Sequence, residues 1–277
     1  YGTNREGRMR FVEYGNPEGR LVVYFHGVPG GIEECALFDA HAKTHNLRIL
    51  SFDRFSISNT LDREGYYQAL ANQIKQIAGT EQISLMGFSI GAHVALEVSV
   101  ALQDQVRHIH LISAAAPLNG GDFLDHMAGG TVFKLALQRP WLFTLLTQYQ
   151  RLMATVAPGL LFSMLFASAA GADKSLRQHR EFKQPITRLL KHCFQHGSSG
   201  YLRDINFYVT WSGDLSRYSS SVQLWHGTDD NWSPLAMAAY LANDIPGVVS
   251  VEELKGLSHY SCLYAAAPKI CAQLAAG

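Results

Sequence analysis

A serine becomes a nucleophile when a base takes its proton and fixed donors receive the negative charge of the intermediate. In Gly87-Phe88-Ser89-Ile90-Gly91 one serine stands between two glycines, with the apolar run 82–86 before it and another from Ile90 onward. A strand arriving and a helix leaving would set Ser89 on a sharp, strained turn with its hydroxyl projecting. Such a turn tolerates only small flanking residues, hence Gly87 and Gly91. The helix beginning just after Ser89 also turns free N–H groups toward developing negative charge. A second segment, His26-Gly27-Val28-Pro29-Gly30-Gly31, follows the apolar run 21–25. A tetrahedral intermediate needs two N–H donors, and Ile90 supplies one. Pro29 has no N–H, so Val28 is the expected second donor, with His26, Gly27, Pro29 and Gly30 shaping its loop.

Twelve histidines compete for the role of base. His259, in Gly256-Leu257-Ser258-His259, is best placed, on a loop after the predicted strand 248–254 and at the same sheet edge as Ser89. His93 lies one turn beyond Ser89, but on the helix that leads away. His26 and His226 precede glycines at strand ends, as loop-bracing residues do. His108 and His110 share a strand face, and His192 and His196 a helix face. Neither pair has a third ligand in view, so structural roles and no metal are expected. The carboxylate that fixes the imidazole tautomer is expected in Gly227-Thr228-Asp229-Asp230-Asn231-Trp232-Ser233-Pro234, where either aspartate could serve. The alternative loop, 113–117, offers no carboxylate.

To bring these groups together, the chain must supply strands that end at one edge. Strands are predicted at 8–14, 21–25, 48–52, 82–86, 106–113, 222–226 and 248–254, the first two closing as a hairpin over Asn16-Pro17-Glu18-Gly19. Helices are predicted at 35–45, 66–78, 90–102, 234–243 and 260–274. This alternation is the mark of a parallel sheet with crossover helices. It stops between 119 and 220, where helical patterns at 131–138, 141–154, 160–169 and 175–196 follow one another. The expected organisation is an α/β core of residues 1–118 and 221–277 with a helical insertion at 119–220.

The composition narrows the partners. Lys plus Arg and Asp plus Glu both number 23 in 277 residues, so bulk charge selects no nucleic acid. A small, hydrophobic molecule is the expected substrate. The four cysteines, Cys35, Cys193, Cys262 and Cys271, form no metal-binding spacing and are expected to be free and buried. Residues 152–172 carry no charge and reach membrane-spanning length, yet Pro158-Gly159 interrupts them, so a pair of greasy helices is expected instead of a span. The polar stretch Tyr1 to Arg10 has no signal-peptide core, and the expected location is cytoplasmic; a leader removed before Tyr1 stays open.

These motifs together resemble the α/β-hydrolase superfamily, over residues 21–260. Similar members carry an HGxPG oxyanion loop, a GxSxG turn, a GxxDxxxP acid loop and a GxxH base loop. Gly227 to Pro234 fits the acid pattern with Asp230 in the aspartate place. The resemblance implies a mostly parallel sheet with helices on both faces, a Ser89, Asp230 and His259 triad, a helical cap at 119–220, and no cofactor. A serine nucleophile sets the chain apart from the related haloalkane dehalogenases and epoxide hydrolases, which use aspartate. Relatives often carry DRPGxGxS after a strand; here Asp53-Arg54-Phe55-Ser56-Ile57-Ser58-Asn59-Thr60 puts serines at both glycine places. The expected reaction is acyl transfer on carboxylic esters with a hydrophobic part. Phe133, Leu135, Trp141, Leu142, Phe143, Leu145, Leu161, Phe162, Met164 and Phe166 fill the cap's own core and line a pocket beneath it, and the segment 207–211 adds aromatic contacts. Carbon–carbon bond hydrolases, aminopeptidases and non-catalytic ligand-binding proteins on this fold are the alternatives.

Overall fold

A computed structural model of the chain describes residues 9–218 and 220–276. Seven strands make one sheet: β1 (Phe11–Gly15), β2 (Arg20–Phe25), β3 (Leu47–Phe52), β4 (Ile83–Phe88), β5 (Val106–Ile112), β6 (Ser221–Gly227) and β7 (Val248–Leu254). Their order is β1-β3-β2-β4-β5-β6-β7, parallel except for β1. Every residue of β4 is buried, as in a strand covered on both faces.

The first seven-residue run departs from expectation. Arg8 lies outside the described residues, and β1 pairs antiparallel with β3, Phe11 opposite Phe52, instead of closing a hairpin with β2. The turn is present, with Gly19 N–H donating to Asn16 O at 2.9 Å. However, β2 is apolar from Leu21 to Phe25 and takes a central place between β3 and β4. The edge falls to β1, whose Glu13 is exposed.

The helices of the core are α1 (Asp39–Thr44), α2 (Arg63–Ala78) and α3 (Gly91–Leu102), and later α10 (Leu235–Asp244) and α11 (His259–Ala276). The predicted helix 35–45 is instead a 3-10 stretch, Ile32–Phe38, followed by α1. The crossover from β2 to β3 runs one way along the sheet, and those from β3 to β4 and β4 to β5 run the other. Right-handed crossovers therefore put α1 on one face and α2 and α3 on the other, and α11 packs with α1. The reversal lies at β2 and β4, where the loops leaving the carboxyl ends diverge and open a crevice.

Between β5 and β6 the described residues form helices and loops only: α4 (Gly130–Gln138), α5 (Pro140–Val156), α6 (Pro158–Leu165), α7 (Asp173–Leu176), α8 (Arg180–Cys193) and α9 (Ser199–Val209). The predicted helix 175–196 is thus divided between α7 and α8, and α9 was not predicted. The uncharged stretch 152–172 breaks at Ala157, and no helix among the described residues is long and apolar enough to cross a membrane. All four cysteines are buried and free.

Candidate active site

Ser89 follows β4 directly and adopts φ 56°, a left-handed conformation costing a non-glycine residue about 1–2 kcal/mol. Three backbone bonds hold it there: Ser89 N–H to Ile112 O at 3.0 Å, Ala92 N–H to Ser89 O at 3.1 Å and Ala115 N–H to Ser89 O at 3.2 Å. The flanking glycines are needed for close approach. A Cβ on Gly87 would stand 2.6 Å from Ala92 Cα, and one on Gly91 would stand 2.1 Å from Phe25 O. So α3 presses against β2 and β4 where the turn reverses, and Ser89 stays partly exposed.

His259 is the first residue of α11, not a loop residue as expected. Its Nδ1 lies 2.8 Å from Asp230 Oδ2, and the other oxygen of Asp230 accepts the N–H groups of Trp232 at 2.9 Å and Ser233 at 3.0 Å. Burial pushes the Asp230 carboxyl up. The His259 charge, its hydrogen bond, His226 and the Ser233 N–H outweigh that and hold the carboxyl below its usual range. Asp229 is exposed and bonds to its neighbour Thr228, so the pairing separates the two aspartates. The imidazole is also clasped by rings, Phe88 at 4.8 Å and a stacked Trp232 at 5.2 Å. Among the described hydrogen bonds, none joins Ser89 Oγ to His259; such bonds often tighten only with substrate in place.

The Val28 loop leaves β2 beside this turn, with a cis peptide between Val28 and Pro29. Gly27 O is held by His26 Nδ1 at 2.8 Å and by Arg54 at 3.3 Å, which fixes the peptide unit whose N–H belongs to Val28. Gly27 N–H donates to Glu34 Oε2 at 3.0 Å. A Cβ on Gly30 would meet Gly27 O at 2.2 Å, so this tight loop needs its glycine. Neither Val28 N–H nor Ile90 N–H donates to an acceptor among the described residues. Both residues line a cavity of about 240 Å³ with Ser89, Pro29, Met127 and Phe133. A larger cleft, about 510 Å³ between α8 and α11, is lined by Glu34, Leu189, His192 and Tyr264 and lacks Ser89 among its walls. Chemistry favours the smaller one.

The other histidines go elsewhere. His93 meets Tyr67 Oη at 3.2 Å and Trp211 at 4.4 Å between ring centres, and burial holds it well below its usual pKa. His226 Nε2 donates to Ser233 O at 2.7 Å and so braces the acid loop. His110 accepts from Trp225 Nε1 at 3.2 Å. His192 pairs with Glu33, and His196 with Asp53 at 3.2 Å. Among the described residues no three His, Cys, Asp or Glu side chains gather as metal ligands.

Several residues that shape the site give no local signal. Asp173 of α7 accepts the N–H groups of Tyr260 at 3.0 Å and Ser261 at 2.7 Å, capping α11 just behind His259. Ser113 Oγ donates to His259 O at 3.1 Å. Buried Arg54 donates to His26 O and pairs with Asp204 of α9, while Arg203 reaches Arg54 O at 2.7 Å and Ile57 O at 3.0 Å. The 53–60 loop, with its serines in place of glycines, is thus held from α9.

The structure is similar to an esterase from Exiguobacterium antarcticum, at 17% identity and TM-score 0.66, covering 97% of this chain and 94% of that one. It is similar also to a thermophilic esterase from Thermogutta terrifontis, at 16% identity and TM-score 0.66, with 97% and 90% covered. A bromoperoxidase from Bacillus anthracis matches at 14% identity and TM-score 0.66, with 95% and 93% covered. At such identities the likeness is one of fold. No curated protein matches the chain. The model of the alpha/beta hydrolase family matches the sequence itself over residues 22–274, from β2 to the last turns of α11, and on that extent the chain belongs to the family.

Proposed function

We propose that this hydrolase cleaves carboxylic esters with a hydrophobic part through an acyl-enzyme on Ser89. The observation that carries the reading is the buried pair of His259 Nδ1 and Asp230 Oδ2 at 2.8 Å, set beside a serine held at positive φ on a turn that opens into an apolar cavity. Asp230 accepts from Nδ1, which leaves Nε2 unprotonated and able to take the Ser89 proton as the hydroxyl attacks the ester carbonyl. The oxyanion is received by the Val28 and Ile90 N–H groups. His259 then protonates the leaving alcohol, and water releases the acyl group by the same steps in reverse. No step needs a metal or cofactor. The helices between β5 and β6 act as a cap: Met127, Val132 and Phe133 from the start of the insertion and Met164 and Leu165 from α6 wall the cavity over Ser89.

Hydrolysis of p-nitrophenyl esters from acetate to laurate tests this. The native protein is expected to turn over the shorter and middle members, and Ser89→Ala to lose at least ~10³-fold in kcat. Turnover that survives in Ser89→Ala, or no turnover of any ester, would overturn the proposal.

A further inference from the structure

The inward stripe of α5 runs through Phe143, Thr147 and Ala154, all buried. Gln150 falls on the same stripe, at the i, i+4, i+7, i+11 spacing where a helix packed on a core carries an apolar residue. Thr147 satisfies its hydroxyl within the helix, on Phe143 O at 2.9 Å. Gln150 does not: its Oε1 is sealed from solvent and has no hydrogen-bond partner among the described residues. The side chain lines the cavity that holds Ser89, among Met127, Phe133 and Met164. Tyr208, another polar side chain of that wall, is already occupied, donating to Ala116 O at 3.0 Å. A carboxamide left unpaired in an apolar wall weakens folding unless something arrives to meet it.

Building on the esterase reading of this cavity, we infer that Gln150 is a specificity-determining residue that selects substrates whose acyl chain carries a hydroxyl group. A hydroxyl suits this site because it meets a carboxamide from either end: a half-turn of the amide exchanges Oε1 and Nε2–H at the cavity, and the hydroxyl donates to the one or accepts from the other. The surrounding wall gives the rest of the chain only apolar contact. A site built around such a pairing discriminates against the analogue that lacks the group, because binding that analogue keeps the amide unpaired and excludes water from it.

The test compares kcat/KM for ethyl hexanoate with ethyl 3-, 5- and 6-hydroxyhexanoate, followed by pH-stat, in the native protein and in Gln150→Leu. In the native protein at least one hydroxy ester is expected to exceed ethyl hexanoate by roughly ten-fold. In Gln150→Leu that ratio is expected to fall to one or below. A native ratio at or below one for every isomer overturns the proposal, as does a ratio that survives Gln150→Leu, which would move the recognition to another wall residue such as Tyr201. Titration calorimetry on Ser89→Ala, with and without Gln150→Leu, reads the same preference without turnover. Tighter binding of a hydroxy ester that disappears with Gln150 supports the proposal even if native protein hydrolyses nothing, an outcome that would sink only the esterase reading. Equal binding, or none, overturns it.

Discussion

Glu34 ties β2 to the loop that follows it. Its Oε2 accepts from Tyr24 Oη at 2.8 Å and from Gly27 N–H at 3.0 Å, one residue ahead of the proposed oxyanion donor. Its Oε1 is buried and receives no hydrogen bond among the described residues, so nothing there stabilises the ionised form. Burial pushes this carboxyl up from 4.5 to about 7, against the lowering effect of Gly27, Tyr24, Arg54 and His259. With a folded pKa above the unfolded one, the folded protein binds more protons in that window, so the group's contribution to stability falls as pH rises from about 4.5 to about 7. His26, His93 and His110 act in the opposite sense. Burial lowers their pKa values, so their contribution rises with pH as the unfolded chain loses its imidazolium protons. Comparing native protein with Glu34→Gln cancels the histidines, since the amide resembles the protonated acid. Urea midpoints across this range should show the variant gaining on the native protein as pH rises, by up to roughly 3 kcal/mol at neutral pH. A difference that stays constant with pH would show that Glu34 is ionised throughout.

The helix that carries His259 depends on an acceptor 87 positions away in the chain, Asp173 on α7. The first N–H groups of a helix have no partner inside it, and here two of them meet one buried carboxylate at the end where the helix dipole is positive. Asp173→Ala should cost about 1–2 kcal/mol in urea unfolding and lower kcat for p-nitrophenyl esters, because His259 opens the frayed turn. Asp173→Asn keeps an oxygen for only one of the two N–H groups, which meet different carboxylate oxygens, and should recover only part of each loss; unchanged stability and kcat in Asp173→Ala would overturn the capping role. This capping also marks what the sequence discloses. The strand before Ser89, the helix after it and the two small neighbours are local, so the turn was legible from five residues. The acid loop was legible only to a choice between Asp229 and Asp230 until a family pattern was laid over it, because which carboxyl points inward is decided by Trp232 and Ser233 N–H groups. The place of β1 beside β3 was not legible, since a turn sets where a chain reverses and not which strand it then pairs. Nor was α9, whose Tyr201, Ile205, Tyr208 and Val209 bury a face against partners far along the chain.

At the scale of the whole molecule, the insertion and the core are tied by charge as well as by apolar contact. Arg54, 1% exposed, follows β3 and pairs with Asp204, also 1% exposed, on α9. Arg203 flanks the same carboxylate at 2.8 Å and lies over the Tyr66 ring at 4.1 Å. Two guanidinium groups thus share one buried carboxylate, and carbonyls take further donors: Arg54 reaches His26 O and Gly27 O, while Arg203 reaches Arg54 O and Ile57 O; Arg54 Nε is buried without a partner among the described residues. Removing one partner of such a cluster strands the other charge, at a cost of about 3–5 kcal/mol, whereas replacing the pair by apolar side chains of similar size is often close to neutral. Asp204→Leu alone should therefore unfold at much lower urea than the native protein, and Arg54→Met with Asp204→Leu should recover part of that difference. Activity should separate from stability. The double variant still lacks the guanidinium that holds Gly27 O, and with it the orientation of the Val28 N–H, so kcat for p-nitrophenyl esters should stay low with KM little changed. If kcat returns along with stability, the pair serves only to fasten α9 to the core, and the Val28 loop keeps its shape through His26 and Glu34 alone.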